Sequence, residues 1–177
     1  FFVFREKYFN DWTDAPLTTE TWMIMPELED FLPRFSPAVD NNISVVKMPY
    51  NPDEFYSAVG TKSQPELAKE KEKGERCRRC YEFRLRKSYG YALENHFDYF
   101  CTTLSISPFK DAVKINTEGE KIAAENPDGP KWLYSDFKKK SGFLRSLEIS
   151  QEYGLYRQQY CGCVYSARTD IDESTVL

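Results

Sequence analysis

Four of the five cysteines in this chain form two tight pairs, Cys77 with Cys80 in GERCRRCYEFRLR and Cys161 with Cys163 in YRQQYCGCVYS. Thiolates are soft ligands for zinc and iron–sulfur clusters, and two short clips from distant segments can present several of them at one point. Gly162 lets the backbone turn sharply between the last two sulfurs. The spacing therefore predicts a metal or redox centre assembled across the fold. A disulfide scaffold fits poorly, because five cysteines in 177 residues is an odd number and no signal peptide is visible. A structural zinc site and thiol–disulfide exchange through Cys161 and Cys163 both stay open on spacing alone. Cys101, in the apolar run FDYFCTTL, reads as a small core residue.

Other polar clusters lie where a ligand could meet them. TTLSISPFK sets Thr102, Thr103, Ser105 and Ser107 between a strand end and a helix start, where hydroxyls and backbone N–H groups can meet a phosphate or simply cap the helix. SDFKKK adds Lys138, Lys139 and Lys140, which read either as a solvated face or as phosphate contacts. Arg157 precedes Cys161 by four residues and can pair with a substrate phosphate or offset the charge of a thiolate-rich cluster. Gln158 and Gln159 are polar contacts or structural residues. His96, the one histidine, falls near a helix C-terminus and reads as a cap or surface residue, so mechanisms built on a histidine pair are excluded.

The elements that must position these residues sharpen after Asn42. ISVVKM is β-branched and predicts a strand. Asn51 and Pro52 then open a helix through PDEFYSAVG that Gly60 ends. KSQPELAKEKEKGE is charge-rich and reads as a solvated excursion. Tyr81, Leu85, Tyr89 and Ala92 recur at helical spacing, which sets the first cysteine pair at a helix N-terminus, where the dipole favours thiolate. FDYFCTTL predicts a buried strand, Ser107 and Pro108 open a helix to about Ala124, KWLY is a third strand, and a last helix runs from about Phe143 to Tyr153 before Gly154. Before Asn42 the chain reads poorly: an aromatic opening, a turn near Thr13 to Pro16 and a short helix near Pro26 to Leu32.

The alternation of strands and helices predicts an α/β fold, a parallel sheet covered by helices on both faces, with sites at the carboxyl ends of the strands. Three loops then converge: Thr102 to Ser107, Ser135 to Lys140, and the tail carrying the C-x-C. The hydrophobic share of 41%, with 16% of all residues aromatic, excludes a disordered chain. A net charge of −4 excludes a broadly basic nucleic-acid binder and confines any such binding to a local patch. No run approaches the roughly 20 apolar residues of a membrane-spanning helix.

YNPDEFYSAV, GERCRRCYEFRL, FDYFCTTLSISPFKDA, YSDFKKKSGFLRS and ISQEYGLYRQQYCGCVYS, taken in order, resemble the QueH family of epoxyqueuosine reductases. The resemblance covers residues 43–177, leaving 1–42 as a poorly matched segment of a single α/β domain, 1–177. It implies a Rossmann-like fold related to adenine nucleotide hydrolases and ATP pyrophosphatases. It further implies a cytoplasmic oxidoreductase of queuosine biosynthesis that reduces epoxyqueuosine to queuosine at the wobble position of a tRNA anticodon. The implied cofactor is an iron–sulfur cluster of the 4Fe–4S type, with an additional iron possible. Cys77, Cys80, Cys161 and Cys163 are the implied ligands or redox thiols. Asp136 is then a candidate for proton delivery or metal contact, or a helix cap, and Arg157 a second catalytic candidate. Thr102, Thr103, Ser107, Lys138, Lys139 and Lys140 are candidates for contact with tRNA. An electron donor is a further implied partner.

Two departures from the family pattern stand out. Family members carry another cysteine-rich motif near the N-terminus, yet no cysteine here precedes Cys77, and the chain begins at Phe1. The expectation is a fragment or truncated product with an incomplete cluster. The charged stretch ELAKEKEK before GERC is a longer insertion, expected to project as a surface loop. Converting an epoxide to an alkene takes two electrons and protons that ordinary side chains do not supply, which agrees with a cysteine-held redox centre.

Overall fold

The computed structural model describes residues 2–4, 23–24, 45–46, 48–49, 51–155, 157, 161 and 163–166. Three short strands come first: β1 (Phe2–Phe4), β2 (Met23–Ile24) and β3 (Val45–Val46). The expected turn at Thr13 to Pro16 and helix at Pro26 to Leu32 lie outside the described residues.

Helix α1 (Pro52–Val59) has the expected bounds. Asn51 Oδ1 accepts from the Asp53 N–H at 3.1 Å, and Pro52 occupies the first turn, where a missing N–H costs nothing. Gly60, at φ 74°, closes the helix by donating to the Tyr56 carbonyl at 3.1 Å. That left-handed conformation suits glycine.

The charged excursion is more anchored than its composition suggests. A 3-10 turn over Pro65–Lys69 buries Leu67, and the Arg76 guanidinium donates to the carbonyls of Leu67 at 2.7 Å and Ala68 at 3.0 Å. ELAKEKEK is therefore not a free projection, although Lys69, Lys71 and Glu72 face solvent. One apolar residue and one buried cation are enough to hold it down.

Helix α2 (Glu75–Glu94) follows and buries Cys77, Tyr81, Leu85, Ser88 and Ala92 along one stripe. Gly74 offers no capping side chain, so the Glu70 carboxylate takes the cap's part and accepts from the Arg76 N–H at 2.8 Å. Glu75 in the first turn complements the helix dipole and binds Arg78 and Arg79. Beyond Asn95, His96 adopts φ 58° and donates its N–H to the Leu93 carbonyl.

Strand β4 (Tyr99–Cys101) leads through a 3-10 turn, Thr103–Ile106, to helix α3 (Ala112–Ala124). Strand β5 (Lys131–Trp132) and helix α4 (Gly142–Glu152) complete the order before a last 3-10 turn, Val164–Ser166. The helix after β4 starts four residues later than Ser107 and Pro108 suggest. Ser107 instead closes the 3-10 turn, and Asp111 caps α3 by accepting from the Lys114 N–H at 3.1 Å. Two capping residues compete there, and the one whose loop can reach the helix axis wins.

β4 and β5 pair in parallel, Tyr99 opposite Lys131 and Phe100 opposite Trp132, joined by the crossover helix α3. That agrees with the expected neighbours. The third partner does not: β3 pairs in parallel with β2, while β1 lies antiparallel on the other side of β4, Phe2 opposite Cys101. Strand propensity in ISVVKM marks an extended segment without naming its partner. The architecture among the described residues is thus helix-rich with two small sheets, a mixed three-stranded one in the order β1-β4-β5 and the parallel pair β2-β3, compatible with the α/β class.

α2 and α3 pack on each other and on β4, around Leu85, Ala92, Phe97, Phe100 and Ile122. Phe100 is fully buried, edge to face with Tyr89 at 5.2 Å and Trp132 at 5.1 Å. Gly119 of α3 meets the Trp132 ring so closely that a Cβ would enter it. A helix glycine costs about 0.5–1 kcal/mol relative to alanine, and here it admits the ring that covers β5. Among the described residues no helix is long and apolar enough to cross a membrane.

Candidate functional site

Cys77 sits in the first turn of α2 and Cys80 one turn later, as the helical spacing predicts. Cys77 packs with Tyr81 and Ile115 in a second small core. The C-x-C segment is brought to this end of α2 by Tyr165. Its hydroxyl lies 2.7 Å from Thr61 Oγ1, its ring meets Tyr56 edge to face at 6.4 Å, and the Arg76 guanidinium stacks over it at 5.0 Å.

The two cysteine pairs share one electrostatic neighbourhood. Burial pushes the Cys80 thiol up, Arg84 opposes that by charge and hydrogen bond, and Cys163 and Cys77 add their fields. Cys161 and Cys163 share one proton through a hydrogen bond. Cys163 is held down at about 5 as the acceptor, and Cys161 is pushed up as the donor. Backbone N–H groups of Tyr165 and Ser166 also favour the Cys163 thiolate. Ser166 Oγ, 3.4 Å from Cys163 Sγ, accepts from the Cys161 N–H at 3.1 Å and ties the segment together. Gly162, Gln158 and Gln159 lie outside the described residues.

Two cations that the sequence did not single out face these thiols. Lys110 is only 7% exposed. Burial opposes its charge, but a hydrogen bond to Cys161 and the fields of Cys161, Glu72 and Cys77 raise its pKa overall. Glu72 lies 3.7 Å from its ammonium. Nothing local in SPFKD foretells the burial of its lysine. Arg84 carried a usable signal, since it follows Cys80 by one helical turn.

Tyr81 also belongs to this site. It is 3% exposed, and burial first, then Cys77, Cys161 and Cys80, push its phenol up. Cys101 ends β4 in the core, its thiol pushed by burial to about 12, as expected of an inert packing residue.

The remaining candidates divide. Thr102 is buried and caps the 3-10 turn, its Oγ1 accepting from the Leu104 N–H at 3.2 Å. Thr103 is exposed, and Ser107 Oγ accepts from the Phe109 N–H at 3.3 Å. Lys138 turns inward, 2.8 Å from Asp136 Oδ1 and 3.4 Å from the Ser105 carbonyl. Lys139 and Lys140 are exposed. The Asp136 carboxylate, held by Lys138 first and Lys139 second, stays below its ordinary range and is ionised at neutral pH. It is not a helix cap, since α4 begins after Ser141.

Arg157 is directed elsewhere than to the thiols. Its Nη1 donates to the Ser146 carbonyl at 3.0 Å and Ser150 Oγ at 2.8 Å, and its guanidinium lies over Phe143. The counter-charge expected of Arg157 comes from Lys110 and Arg84.

Asn116, which the sequence did not mark, holds the β5 end in place. Its Oδ1 accepts from Trp132 Nε1 at 2.9 Å and the Ser135 N–H at 3.0 Å, while Nδ2 donates to the carbonyls of Ala112 and Ser135, both at 2.8 Å. Ser105 Oγ accepts from the Phe137 N–H at 3.3 Å, joining the two loops at the strand ends. Among the described residues no three cysteine, histidine or acidic side chains stand close enough to hold one metal ion.

Fold and site together define a small α/β protein with a thiol centre between the start of α2, the loop after β4 and a C-terminal C-x-C segment. The family model described as epoxyqueuosine reductase QueH matches residues 26–169, and this chain belongs to that family. It is 40% identical over 140 residues to epoxyqueuosine reductase QueH of Streptococcus pyogenes, covering 79% of this chain and 52% of the relative. Against the Staphylococcus aureus protein of that name identity is 40% over 152 residues, covering 84% and 60%. Against that of Acinetobacter baylyi it is 38% over 132 residues, covering 74% and 57%. The chain thus spans a little over half the length of these curated relatives.

Proposed function

We propose that this chain reduces epoxyqueuosine to queuosine at the wobble position of tRNA, with an iron–sulfur centre held by Cys77, Cys80, Cys161 and Cys163. The observation that carries the reading is the meeting of the two cysteine pairs, with Cys80 in the field of Cys163, in a chain whose relatives are named epoxyqueuosine reductases. The donor set suits the group. Four soft thiols with Lys110 and Arg84 beside them can carry an anionic cluster. In a 4Fe–4S cluster each thiolate binds its own iron, so the ligand sulfurs stand further apart than those around a single ion.

The reaction removes the epoxide oxygen as water: two C–O bonds break, a C=C bond forms, and two electrons and two protons are consumed. A cluster held by the four cysteines would supply single electrons, and an additional iron would supply a Lewis acid for the oxygen. The electrons come from an external donor. Lys110 offsets thiolate charge at Cys161, and Arg84 does so at Cys80. Asp136, already ionised beside Lys138, does not deliver the proton from its resting state and suits a metal contact better. Arg157, bound to α4, serves the fold before the chemistry.

The carboxyl edge of the sheet supports tRNA as the substrate. Lys140 and Thr103 are exposed and can meet phosphate oxygens, as can Lys139, which is exposed although it lies 3.6 Å from Asp136 Oδ2, whereas Thr102, Ser107 and Lys138 are engaged in holding their loops. Phe109 and Tyr134, each 60% exposed, offer faces on which unpaired bases of an anticodon loop can stack. The β4–α3–β5 crossover supports a Rossmann-like sheet related to adenine nucleotide hydrolases.

A second reading draws on Cys163, held at about 5 by Cys161, which is the setting of a nucleophilic thiol in a thiol–disulfide oxidoreductase. Anaerobic reconstitution separates the readings. Iron with acid-labile sulfide is the expected result, and conversion of epoxyqueuosine in tRNA, set beside that of a full-length relative, measures how much of the activity this chain carries. One zinc without iron supports a structural metal module instead, and loss of thiols as a disulfide without metal supports the exchange reading.

A further inference from the structure

The phenol of Tyr81 is 3% exposed, and its Oη has no hydrogen-bond partner among the described residues. An unsatisfied buried donor costs about 1–3 kcal/mol, so such groups are rare unless something else meets them. Tyr81 sits on α2 directly after Cys80 and one turn after Cys77. Its ring packs against Cys77 and Ile115. The groups whose charges act on it are Cys77, Cys161, Cys80 and Asp111. The orphaned donor therefore lies among the same thiols that Lys110 and Arg84 face from α3's leading loop and from α2.

We infer that the Tyr81 hydroxyl donates a hydrogen bond to a sulfur atom of the group that the four thiols hold, acting as a positioning residue that favours the group's reduced form. The inference rests on the iron–sulfur reading above. A donor aimed at sulfur stabilises the state with more negative charge, which is how hydrogen bonds to cluster sulfurs raise a reduction potential. The neighbouring cations offset charge over the whole site, whereas a phenol supplies one directed bond. Its acceptor arrives with the group, so in the metal-free protein the hydroxyl gains nothing.

That asymmetry is testable with Tyr81→Phe, which keeps the ring. In the metal-free 177-residue protein the denaturation midpoint of Tyr81→Phe is expected to equal or exceed that of the parent, because a donor without a partner has been removed. After anaerobic reconstitution with iron and sulfide, both proteins are expected to carry the same iron and sulfide. The reduction equilibrium of the variant should then fall on the order of tenfold, the worth of one hydrogen bond to a charged acceptor. Equal loading with an unchanged potential overturns the role of Tyr81 and leaves the iron–sulfur reading standing. A clear loss of stability in the metal-free variant also overturns it, since the hydroxyl then has a partner in the protein. Failure of the parent to take up iron and sulfide overturns the iron–sulfur reading and this inference with it.

Discussion

The Arg76 guanidinium lies 5.0 Å from the ring centre of Tyr165, and the same side chain donates to the carbonyls of Leu67 and Ala68. One buried cation, 2% exposed, thus fastens both the charged loop before α2 and the C-terminal thiol segment to the helix that carries Cys77 and Cys80. Neighbouring Thr61 and Tyr56 complete the seat for Tyr165.

Arg76→Met should therefore loosen both attachments at once. Two buried carbonyls lose their charged donor, and a loss of about 2–3 kcal/mol is expected in denaturant unfolding. Alkylation of Cys161 and Cys163 in the native protein should accelerate several-fold. A stability loss with unchanged alkylation would show that Tyr165 holds the segment without Arg76.

Lys110→Met removes the cation whose hydrogen bond and charge oppose the rise of the Cys161 thiol. Alkylation of the Cys161–Cys163 pair, whose charge rests on Cys163, should slow at neutral pH in the metal-free protein, and iron uptake on reconstitution should fall. Lys110→Arg should restore much of both. Equal alkylation rates in all three proteins would remove Lys110 from the site.

Asn116→Leu keeps the volume but leaves Trp132, Ser135 and Ala112 without their partner. With several buried groups orphaned together, a loss of about 2–4 kcal/mol is expected from the unfolding midpoint. Ser135 to Lys140 should become more susceptible to limited proteolysis as the loop is released.

Glu75 governs part of the acid limb of stability. Arg78 first and Arg79 second hold its carboxyl at about 2, against an ordinary 4.5. A depressed folded-state pKa stabilises the protein fully above 4.5 and loses that contribution as pH falls towards about 2. Glu75→Gln should thus lower stability at neutral pH by a modest, screened amount and flatten the decline across that window. Parallel acid curves for the two proteins would place the acid sensitivity in other carboxylates.

The three lysines of SDFKKK should separate in function. Lys139→Ala with Lys140→Ala should weaken binding of a tRNA anticodon stem-loop and lower the salt slope by about one unit per lost phosphate contact. Lys138→Ala should act on stability instead, because its ammonium is committed to Asp136 and the Ser105 carbonyl. An unchanged salt slope in the double variant would assign these lysines to solvation alone.

Local chemistry was readable from the sequence wherever its reach is one helical turn. Asn51, Pro52 and Gly60 bound α1, and the stripe from Cys77 to Ala92 set the cysteine pair on the first turns of α2, because caps and helix faces depend on neighbours three or four residues away. The capping reading of Ser107 failed four residues short of Asp111, where loop geometry chose between two capable residues. Strand existence was legible in ISVVKM and KWLY, but the choice of β2 as partner of β3 and the antiparallel addition of β1 were not. Which strands pair depends on surfaces far apart in the chain. The cysteine spacing announced a thiol centre. Its counter-charges were decided only by folding, which buried Lys110, turned Lys138 onto Asp136 and drew Arg157 to α4. A lysine or arginine has the same intrinsic charge in every sequence. What it does depends on the water removed around it and on the partner left within reach, and both are properties of the tertiary structure.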